Sequence, residues 1–156
     1  MVTLNDVHDR TAAFLDLHWP DGEDRPVWSA PWTFAGTIPN QDLKGVYAHL
    51  RGDAVIYVGV GAGRGPGKYE GAGLGSRLHR YWMRHPTEPR TDDGEPKYAP
   101  TEVFGESTEL AAIVTLGFPA DRSYLAYALE AYLIGELKPE KNVVGVGRRG
   151  TDGPSS

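Results

Sequence analysis

Residues 45–60, GVYAHLRGDAVIYVGV, contain the pattern that decides the fold. β-Branched and aromatic residues flank Gly52 and Asp53 on both sides, which is typical of the two strands of a hairpin. Glycine and aspartate favour turns, because glycine reaches positive φ angles and aspartate hydrogen-bonds nearby backbone groups. The stretch therefore predicts a β-hairpin.

The register of this hairpin is predicted from its apolar residues. A three-residue loop, 51–53, gathers apolar side chains of both strands on one face: Val46, Ala48, Leu50, Ala54, Ile56 and Val58. A two-residue loop is expected to scramble that face. The same register puts Tyr47 directly opposite Tyr57 on the other face, because side chains alternate along a strand. The two phenols are therefore predicted to share one surface.

Two longer helices are predicted, one on each side of the hairpin in the sequence. The apolar spacing from Leu4 to Leu17 favours a first helix, with Asn5 or Asp6 as its cap. The segment RSYLAYALEAYLIGEL, residues 122–137, indicates a core helix with Asp121 as its cap.

Three further elements are predicted between the hairpin and the core helix. The segment SRLHRYWMRH, residues 76–85, reads as a helix with three residues on one face: Arg77, Tyr81 and Arg84. Residues 86–100 contain four prolines and predict a long solvated loop. The apolar run from Leu110 to Phe118 predicts a third strand.

A glycine-rich segment separates the hairpin from the residue 76–85 helix. Eight glycines occur in residues 59–75, which favours a functional surface loop over a regular element. The segment contains no GxGxxG, and Gly67-Lys68 lacks both the earlier glycine and the following Ser or Thr of a phosphate-binding loop. Both phosphate-loop readings are therefore rejected.

These elements predict an α/β (α+β) fold with a small central, three-stranded, mainly antiparallel sheet flanked by helices. Residues 1–40 are interpreted as an N-terminal extension, made of a helix and an arm that carries Trp28 and Trp32. Residues 41–148 form the main domain, and residues 149–156 a flexible tail.

Composition excludes several classes of function. Sixteen Lys and Arg against 21 Asp and Glu give a net charge of -5, so a generally basic nucleic-acid coat is absent. The lack of cysteine excludes thiolate zinc sites and Cys nucleophiles, and the five histidines show no zinc-ligand spacing. No stretch approaches the ~18 apolar residues of a membrane span, and a cytoplasmic protein with no membrane partner is expected.

One charged residue stands out in the predicted core helix. Glu130 is the only charged residue between Arg122 and Glu136, and its helical neighbours are apolar. A buried carboxylate is costly unless it is protonated, paired with an arginine or bound to a cation. A structural ion pair is favoured over a metal site on this residue alone. By themselves, Arg77 and Tyr81 indicate a solvated face, and Tyr47 and Tyr57 cross-strand packing.

Taken in order, these residues resemble a known family. Gly45-Val46-Tyr47, Tyr57-Val58-Gly59, Arg77 with Tyr81, Glu130 and Asn142 occur as they do in the GIY-YIG nucleases. The chain is most similar to the N-terminal nuclease module of bacterial excision-repair incision proteins, over about residues 44–143. The resemblance implies the GIY-YIG fold and metal-dependent hydrolysis of DNA phosphodiester bonds, in repair or restriction.

The resemblance also implies a role for each matching residue. Glu130 would be the protein ligand of a single Mg²⁺, for which Mn²⁺ can substitute, and Arg77 would neutralise charge on the phosphoryl oxygens. Tyr47 is the first candidate for the general base and Tyr57 the second. Tyr81 would orient a phosphate or water, and Asn142 would brace the site by hydrogen bonding.

The sequence departs from the family at three points. Val60 stands where many relatives have Lys or another polar residue, Tyr81 replaces a frequent His, and the glycine-rich loop is long. Arg64 or Lys68 in that loop is predicted to return a cation to the site. Nucleic-acid contacts are predicted for five basic residues near the first helix of the domain: Arg64, Lys68, Arg80, Arg84 and Lys97.

Several alternatives stay open at this point. A noncatalytic nucleic-acid or protein-binding module with the same fold is the alternative function. Trp28 and Trp32 in the N-terminal extension are expected to supply a homodimer face, a partner-protein contact or a DNA contact. The DNA target, and DNA rather than RNA, are not determined by the sequence.

Overall fold

The computed structural model describes residues 1–62, 73–101 and 110–142. It is a mixed α/β fold with a three-stranded antiparallel sheet and flanking helices, which confirms the predicted class. In chain order the elements are α1 (Leu4–His18), β1 (Lys44–Arg51), β2 (Ala54–Gly61), α2 (Leu74–Leu78), β3 (Trp82–Arg84), β4 (Tyr98–Pro100), β5 (Ala112–Phe118) and α3 (Tyr124–Leu137). Within the described ranges, none of the helices has the length and apolar character needed to cross a membrane.

The main sheet has the order β2-β1-β5, so β1 is the central strand. Both of its neighbours run antiparallel to it. Strand β5 confirms the predicted third strand. Strand β1 is paired on both sides, and β2 is left as an edge strand. The side chains of β1 are buried on both faces of the sheet, because a separate cluster packs on each face.

The predicted hairpin register is wrong, by two residues from Gly45 to His49 and by one at Leu50 and Arg51. Tyr47 pairs with Gly59, and His49 pairs with Tyr57. The turn has two residues, Gly52 and Asp53, because Arg51 pairs with Ala54. A β-bulge between His49 and Leu50 leaves Ile56 as the extra residue of β2.

This bulge explains why the shorter turn does not scramble the sheet. One extra residue in one strand shifts the pairing by one, and it restores the alternation that the two-residue turn would otherwise invert. Tyr47 and Tyr57 therefore still point to the same face, as diagonal neighbours and not as directly opposite residues.

Helix α1 begins one residue before the predicted cap. Thr3 is the N-cap, and its hydroxyl accepts a hydrogen bond from the Asp6 backbone N–H at 3.2 Å. The Asp6 carboxylate in turn accepts from the Thr3 N–H at 2.8 Å. This reciprocal capping box assigns Asp6 to the third helical position, so neither it nor Asn5 is the cap.

The predicted helix over residues 76–85 is wrong in its second half. Helix α2 ends at Leu78, a 3₁₀ turn follows, and Trp82 begins strand β3, which pairs with β4. The Trp82 ring packs 4.7 Å from that of Trp32, measured between centroids. Packing of this ring against Trp32 favours the strand over a continued helix. The predicted solvated loop is confirmed for residues 86–97, which are mostly exposed and lie outside the named strands, and it is wrong at Tyr98–Pro100, which form β4.

Helix α3 confirms the predicted core helix, although its start differs. Asp121 lies in a 3₁₀ turn before the helix, and Ser123 is the N-cap residue without a side-chain capping bond. The helix buries Ala126, Leu129 and Leu133 against the sheet.

The two faces of β1 pack against different groups of residues. The valine face, formed by Val46, Ala48 and Leu50, packs against apolar side chains of α1 and α3. The tyrosine face, formed by Tyr47 and His49, lies in a second cluster with Leu74, Leu78 and Tyr81. Residues before 41 contribute to both clusters, Phe14 and Trp28 to the first and Trp32, Phe34 and Ile38 to the second.

Candidate functional site at the edge of β2

The phenol of Tyr47 lies across the backbone of its cross-strand neighbour, Gly59. A Cβ atom added to Gly59 would lie 2.4 Å from Cζ and 2.5 Å from the hydroxyl oxygen of Tyr47. No side chain fits in that space. Gly59 is therefore needed to let the Tyr47 ring lie along the hairpin.

Three tyrosines and a histidine form a cluster on this face. We call Tyr47, His49, Tyr57 and Tyr81 the tyrosine cluster. The hydroxyl oxygens of Tyr47 and Tyr81 are 3.0 Å apart, and the ring centroids of Tyr47 and Tyr57 are 6.2 Å apart. The His49 ring meets that of Tyr81 edge-on at 4.3 Å. Arg80 Nη2 donates a hydrogen bond to the Tyr81 hydroxyl at 3.0 Å.

Burial affects the ionisation of the cluster unevenly. Tyr47 has no exposed surface, and burial, followed by the neighbouring Tyr81, raises its pKa far above the usual range. Burial also raises the pKa of Tyr57, but that side chain is partly exposed. Burial and the positive charge of Arg80 lower the pKa of His49 to about 3, so its imidazole is neutral at physiological pH. Tyr57 is therefore the phenol of the pair that solvent can reach.

The outer edge of β2 is covered by side chains from the C-terminal part of the described chain. Asn142 accepts a hydrogen bond from the Val58 N–H at 2.8 Å and donates one to the Val58 carbonyl at 2.9 Å. Two residues further on, the Glu130 carboxylate accepts from the backbone N–H of Val60. These bonds satisfy backbone groups that an edge strand otherwise presents to solvent.

The Glu130 carboxylate is half-buried at this edge. Burial raises its pKa above the ordinary value, while Arg77 and the Val60 N–H oppose that shift. Arg77 also lowers the pKa values of Tyr47 and Tyr57. One guanidinium therefore acts electrostatically on the carboxylate and on both phenols of the hairpin.

Helix α2 brings Arg77 to the site by a close contact with the backbone before β1. The Leu74 N–H donates to the Leu43 carbonyl at 2.9 Å, which fixes the first turn of the helix. A Cβ atom on Gly73 would lie 2.4 Å from the same carbonyl oxygen. Glycine at this position lets the helix approach, and Arg77 is exposed on it while acting electrostatically on Tyr47 and Tyr57.

The structure thus brings together most of the residues that the sequence singled out. Tyr47, Tyr57, Tyr81, Arg77 and Glu130 interact around the edge of β2. Asn142 lies at the same edge and holds the strand through its backbone. Glu130 reaches the site around the edge of the sheet, since α3 packs on the valine face.

The donor set at this edge is limited to one acidic residue. In the described residues, no group of three or more His, Cys, Asp or Glu side chains is placed to hold a metal ion. Mg²⁺ commonly keeps several waters and binds through one or two carboxylates together with substrate phosphates. The half-buried Glu130 carboxylate fits this mode of binding, and it does not fit an all-protein cage.

The predicted nucleic-acid contacts are only partly near the site. Arg64 and Lys68 lie outside the described residues. Arg80 reaches the site through Tyr81, whereas Arg84 is exposed on β3. Lys97 forms a salt bridge with Glu88.

Val60 departs from the family pattern in a way that the fold explains in part. Its side chain packs with the residues of the valine face, and its backbone N–H binds Glu130. A polar side chain at this position would therefore point to the valine face, away from the tyrosines.

Sequence reasoning missed two residues beside the site. His49 lies two positions after Tyr47, so strand alternation alone places both on one face. Tyr127 lies one helical turn before Glu130, and its hydroxyl donates to the Ala62 carbonyl at 2.6 Å. Strand alternation from Tyr47 points to His49. Tyr127 is already one of the helical neighbours of Glu130, but the sequence gives no sign of the partner of its hydroxyl.

No family model, curated protein or solved structure matches the chain. The site residues and the resemblance that they carry are therefore the basis for a function.

Proposed function

We propose that the protein is a metal-dependent endonuclease that hydrolyses phosphodiester bonds in DNA by a one-metal mechanism of the GIY-YIG type. One observation carries the proposal. Arg77 from α2 acts electrostatically on the Glu130 carboxylate of α3 and on the phenols of Tyr47 and Tyr57 at one edge of the sheet. A cation, a carboxylate and phenols in one place suit the chemistry of a phosphodiester.

Glu130 would hold the divalent cation, Mg²⁺ or Mn²⁺. When bound, such an ion supplies positive charge to the phosphate and to the leaving oxygen. Burial raises the pKa of this carboxylate, and Arg77 and the Val60 N–H oppose that shift in favour of the ionised form, which is the form that binds a cation.

Arg77 would bind the non-bridging oxygens of the scissile phosphate. Its guanidinium is exposed and so accessible to a phosphate from solvent, and its planar fork suits two phosphate oxygens at once. Charge that develops during phosphoryl transfer is stabilised there.

The burial of the phenols favours Tyr57 over Tyr47 as the general base, which reverses the order given by the sequence. A base must reach the attacking water, and Tyr57 is partly exposed whereas Tyr47 is enclosed. The Tyr47 hydroxyl instead bonds that of Tyr81 and orders the floor of the site. Arg77 lowers the pKa of Tyr57 and so opposes the effect of burial.

The proposal requires local positive charge in a chain of net charge -5. Arg77, Arg80 and Arg84 are exposed within a short span of the chain. Phosphate contacts of this kind release counterions, so DNA affinity is expected to fall steeply with salt.

The test is cleavage of supercoiled plasmid with Mg²⁺, with Mn²⁺ and with EDTA. We expect nicked or linear product only with a divalent cation. Glu130→Gln keeps an acceptor for the Val60 N–H but removes the charge, so it should abolish cleavage without lowering stability. Glu130→Ala removes both and should also lower the melting temperature. Cleavage that persists in Glu130→Gln would contradict the role of the carboxylate.

The same assay distinguishes the endonuclease from the alternative, a noncatalytic binding module with the same fold. Salt-dependent DNA binding, without metal-dependent cleavage on plasmid, branched or single-stranded DNA, would favour that alternative.

A further inference from the structure

Two exposed tyrosines lie on α3 beside the candidate site. Of the Phe, Tyr and Trp residues in the described ranges, only Tyr124 and Tyr127 are exposed, at 66% and 39%. The other aromatic side chains there are buried or partly buried. Helix α3 therefore exposes two aromatic rings to solvent.

These rings lie in a row that ends at the site. Tyr124, Tyr127 and Glu130 follow one another at intervals of three residues along α3. Residues at this spacing are neighbours on a helix surface, with Cβ atoms about 5–6 Å apart. The row therefore leads from solvent to the carboxylate proposed to hold the cation.

The second ring is held in place by the strand that carries the site. The Tyr127 hydroxyl donates to the Ala62 carbonyl at 2.6 Å, immediately beyond β2. The same strand provides the Val60 N–H for Glu130. Tyr127 is thus fixed at its hydroxyl end while more than a third of its surface stays exposed, which lowers the entropy cost of using the ring to bind.

The helix surface around these rings suits a base more than a charged partner. Ala128 and Ala131 are exposed beside the tyrosines, and Glu130 is the only charged residue from Tyr124 to Gly135. Exposed aromatic rings stack on nucleobases, and stacking needs no particular base because every base has a flat face. Bases are available for stacking only where they are unpaired.

We propose that Tyr124 and Tyr127 form a stacking platform for unpaired bases next to the scissile phosphate. The preferred substrate is then DNA with unpaired nucleotides at the cleavage point, such as a single strand or a bulge, and not a continuous duplex. This inference rests on the proposed function, because it places the phosphate between Glu130 and Arg77.

Binding is measured separately from cleavage. The Glu130→Gln variant in EDTA is titrated with three fluorescent oligonucleotides: a single strand, a duplex with a short bulge, and the fully paired duplex. Tyr124→Ala and Tyr127→Ala are each expected to weaken binding of the first two by roughly 5- to 150-fold, and duplex binding by much less. A 2-aminopurine base next to the bulge should lose fluorescence on binding, and the tyrosine substitutions should restore it.

Tyr127→Phe separates stacking from the hydrogen bond to Ala62. It keeps the ring and removes the hydroxyl that fixes it, so single-strand binding should fall far less than in Tyr127→Ala. Leu17→Ala, which removes an exposed apolar side chain on α1, should change neither affinity.

Equal losses on duplex and single strand, or no loss on either, would overturn the stacking proposal, as would a Tyr127→Phe variant as weak as Tyr127→Ala. Failure of the proposed function would give a different experimental result. In that case neither plasmid nor branched nor single-stranded DNA is cleaved in a metal-dependent manner, whatever the tyrosines do to binding.

Discussion

The valine face and the tyrosine face of β1 are alike in burial and opposite in chemistry. Val46, Ala48 and Leu50 are closely packed among apolar side chains. Tyr47 and His49 are equally buried on the other face, yet they carry a phenol and an imidazole. Strand β1 thus faces a purely apolar interior on one side of the sheet and an aromatic interior with polar groups on the other.

The difference between these faces shows where the molecule buries polar groups at a cost in free energy. A buried polar group is unfavourable unless it is hydrogen-bonded, and apolar residues of similar size would pack without that cost. The phenols are instead retained, with Tyr47 bonded to Tyr81 and Tyr81 to Arg80. Substitutions on the valine face should therefore change stability, and those on the tyrosine face should change activity.

Arg77 gives the largest expected effect. Arg77→Ala should reduce the cleavage rate by roughly 10³- to 10⁵-fold, and Arg77→Lys should recover little of it, because lysine lacks the planar fork. The guanidinium is exposed, so the melting temperature should hardly change. Single-turnover cleavage measures the effect, and Arg10→Ala on α1 is the matched exposed control. Activity close to that of the parent in Arg77→Ala would contradict the proposed role of Arg77 in cleavage.

Tyr57 should have the next largest effect, and it tests the choice of base. Tyr57→Phe should lower the cleavage rate by roughly 10²- to 10⁴-fold, the usual range for a general base. The pKa of Tyr57 is raised above 10.0, so its ionised fraction grows with pH across the neutral range. Cleavage should rise about tenfold per pH unit from about pH 6 to 8, and Tyr57→Phe should flatten this rise.

Tyr47→Phe is the matched control for Tyr57. It should leave the slope of the pH profile unchanged, since Tyr47 is enclosed. A flat profile in Tyr47→Phe together with a normal slope in Tyr57→Phe would restore the order that the sequence favoured.

Leu116 tests the valine face alone. Its side chain is fully buried on β5, so Leu116→Ala should lower the free energy of unfolding by about 2–5 kcal/mol. Urea denaturation measures this, with Leu17→Ala as the exposed control. The cleavage rate per folded molecule should stay near that of the parent. A large loss of that rate would mean that the two faces are not separable.

Asn142 lies between the two faces, at the edge of β2, and its substitution should lower stability less than that of Leu116 does. Asn142→Ala leaves the Val58 N–H and carbonyl without their side-chain partner and should cost about 1–3 kcal/mol of unfolding free energy. Cleavage should fall as well, because the same strand presents Tyr57. Asn5→Ala, at an exposed position of α1, is the control. Full activity with reduced stability would limit Asn142 to a structural role.

Part of this arrangement could be read from local pattern. The hairpin, the third strand and the core helix follow from composition and periodicity over short windows, and the shared side of Tyr47 and Tyr57 follows from alternation. The register could not be read in this way, because the two-residue turn and the bulge at Ile56 compensate each other. Trp82 begins a strand and does not continue the helix, and this depended on its packing against Trp32, which is far away in sequence.

The sequence by itself determined the first helix, the hairpin, the third strand and the core helix, and which residues carry phenols, a guanidinium and a carboxylate, because propensity and periodicity are local properties. Only the tertiary structure decided that Glu130 reaches around the edge of the sheet to Val60, that Tyr47 is enclosed while Tyr57 is open, and that Asn142 holds β2. Those outcomes depend on packing between segments distant in the chain, where burial and hydrogen bonding are settled by the whole fold at once.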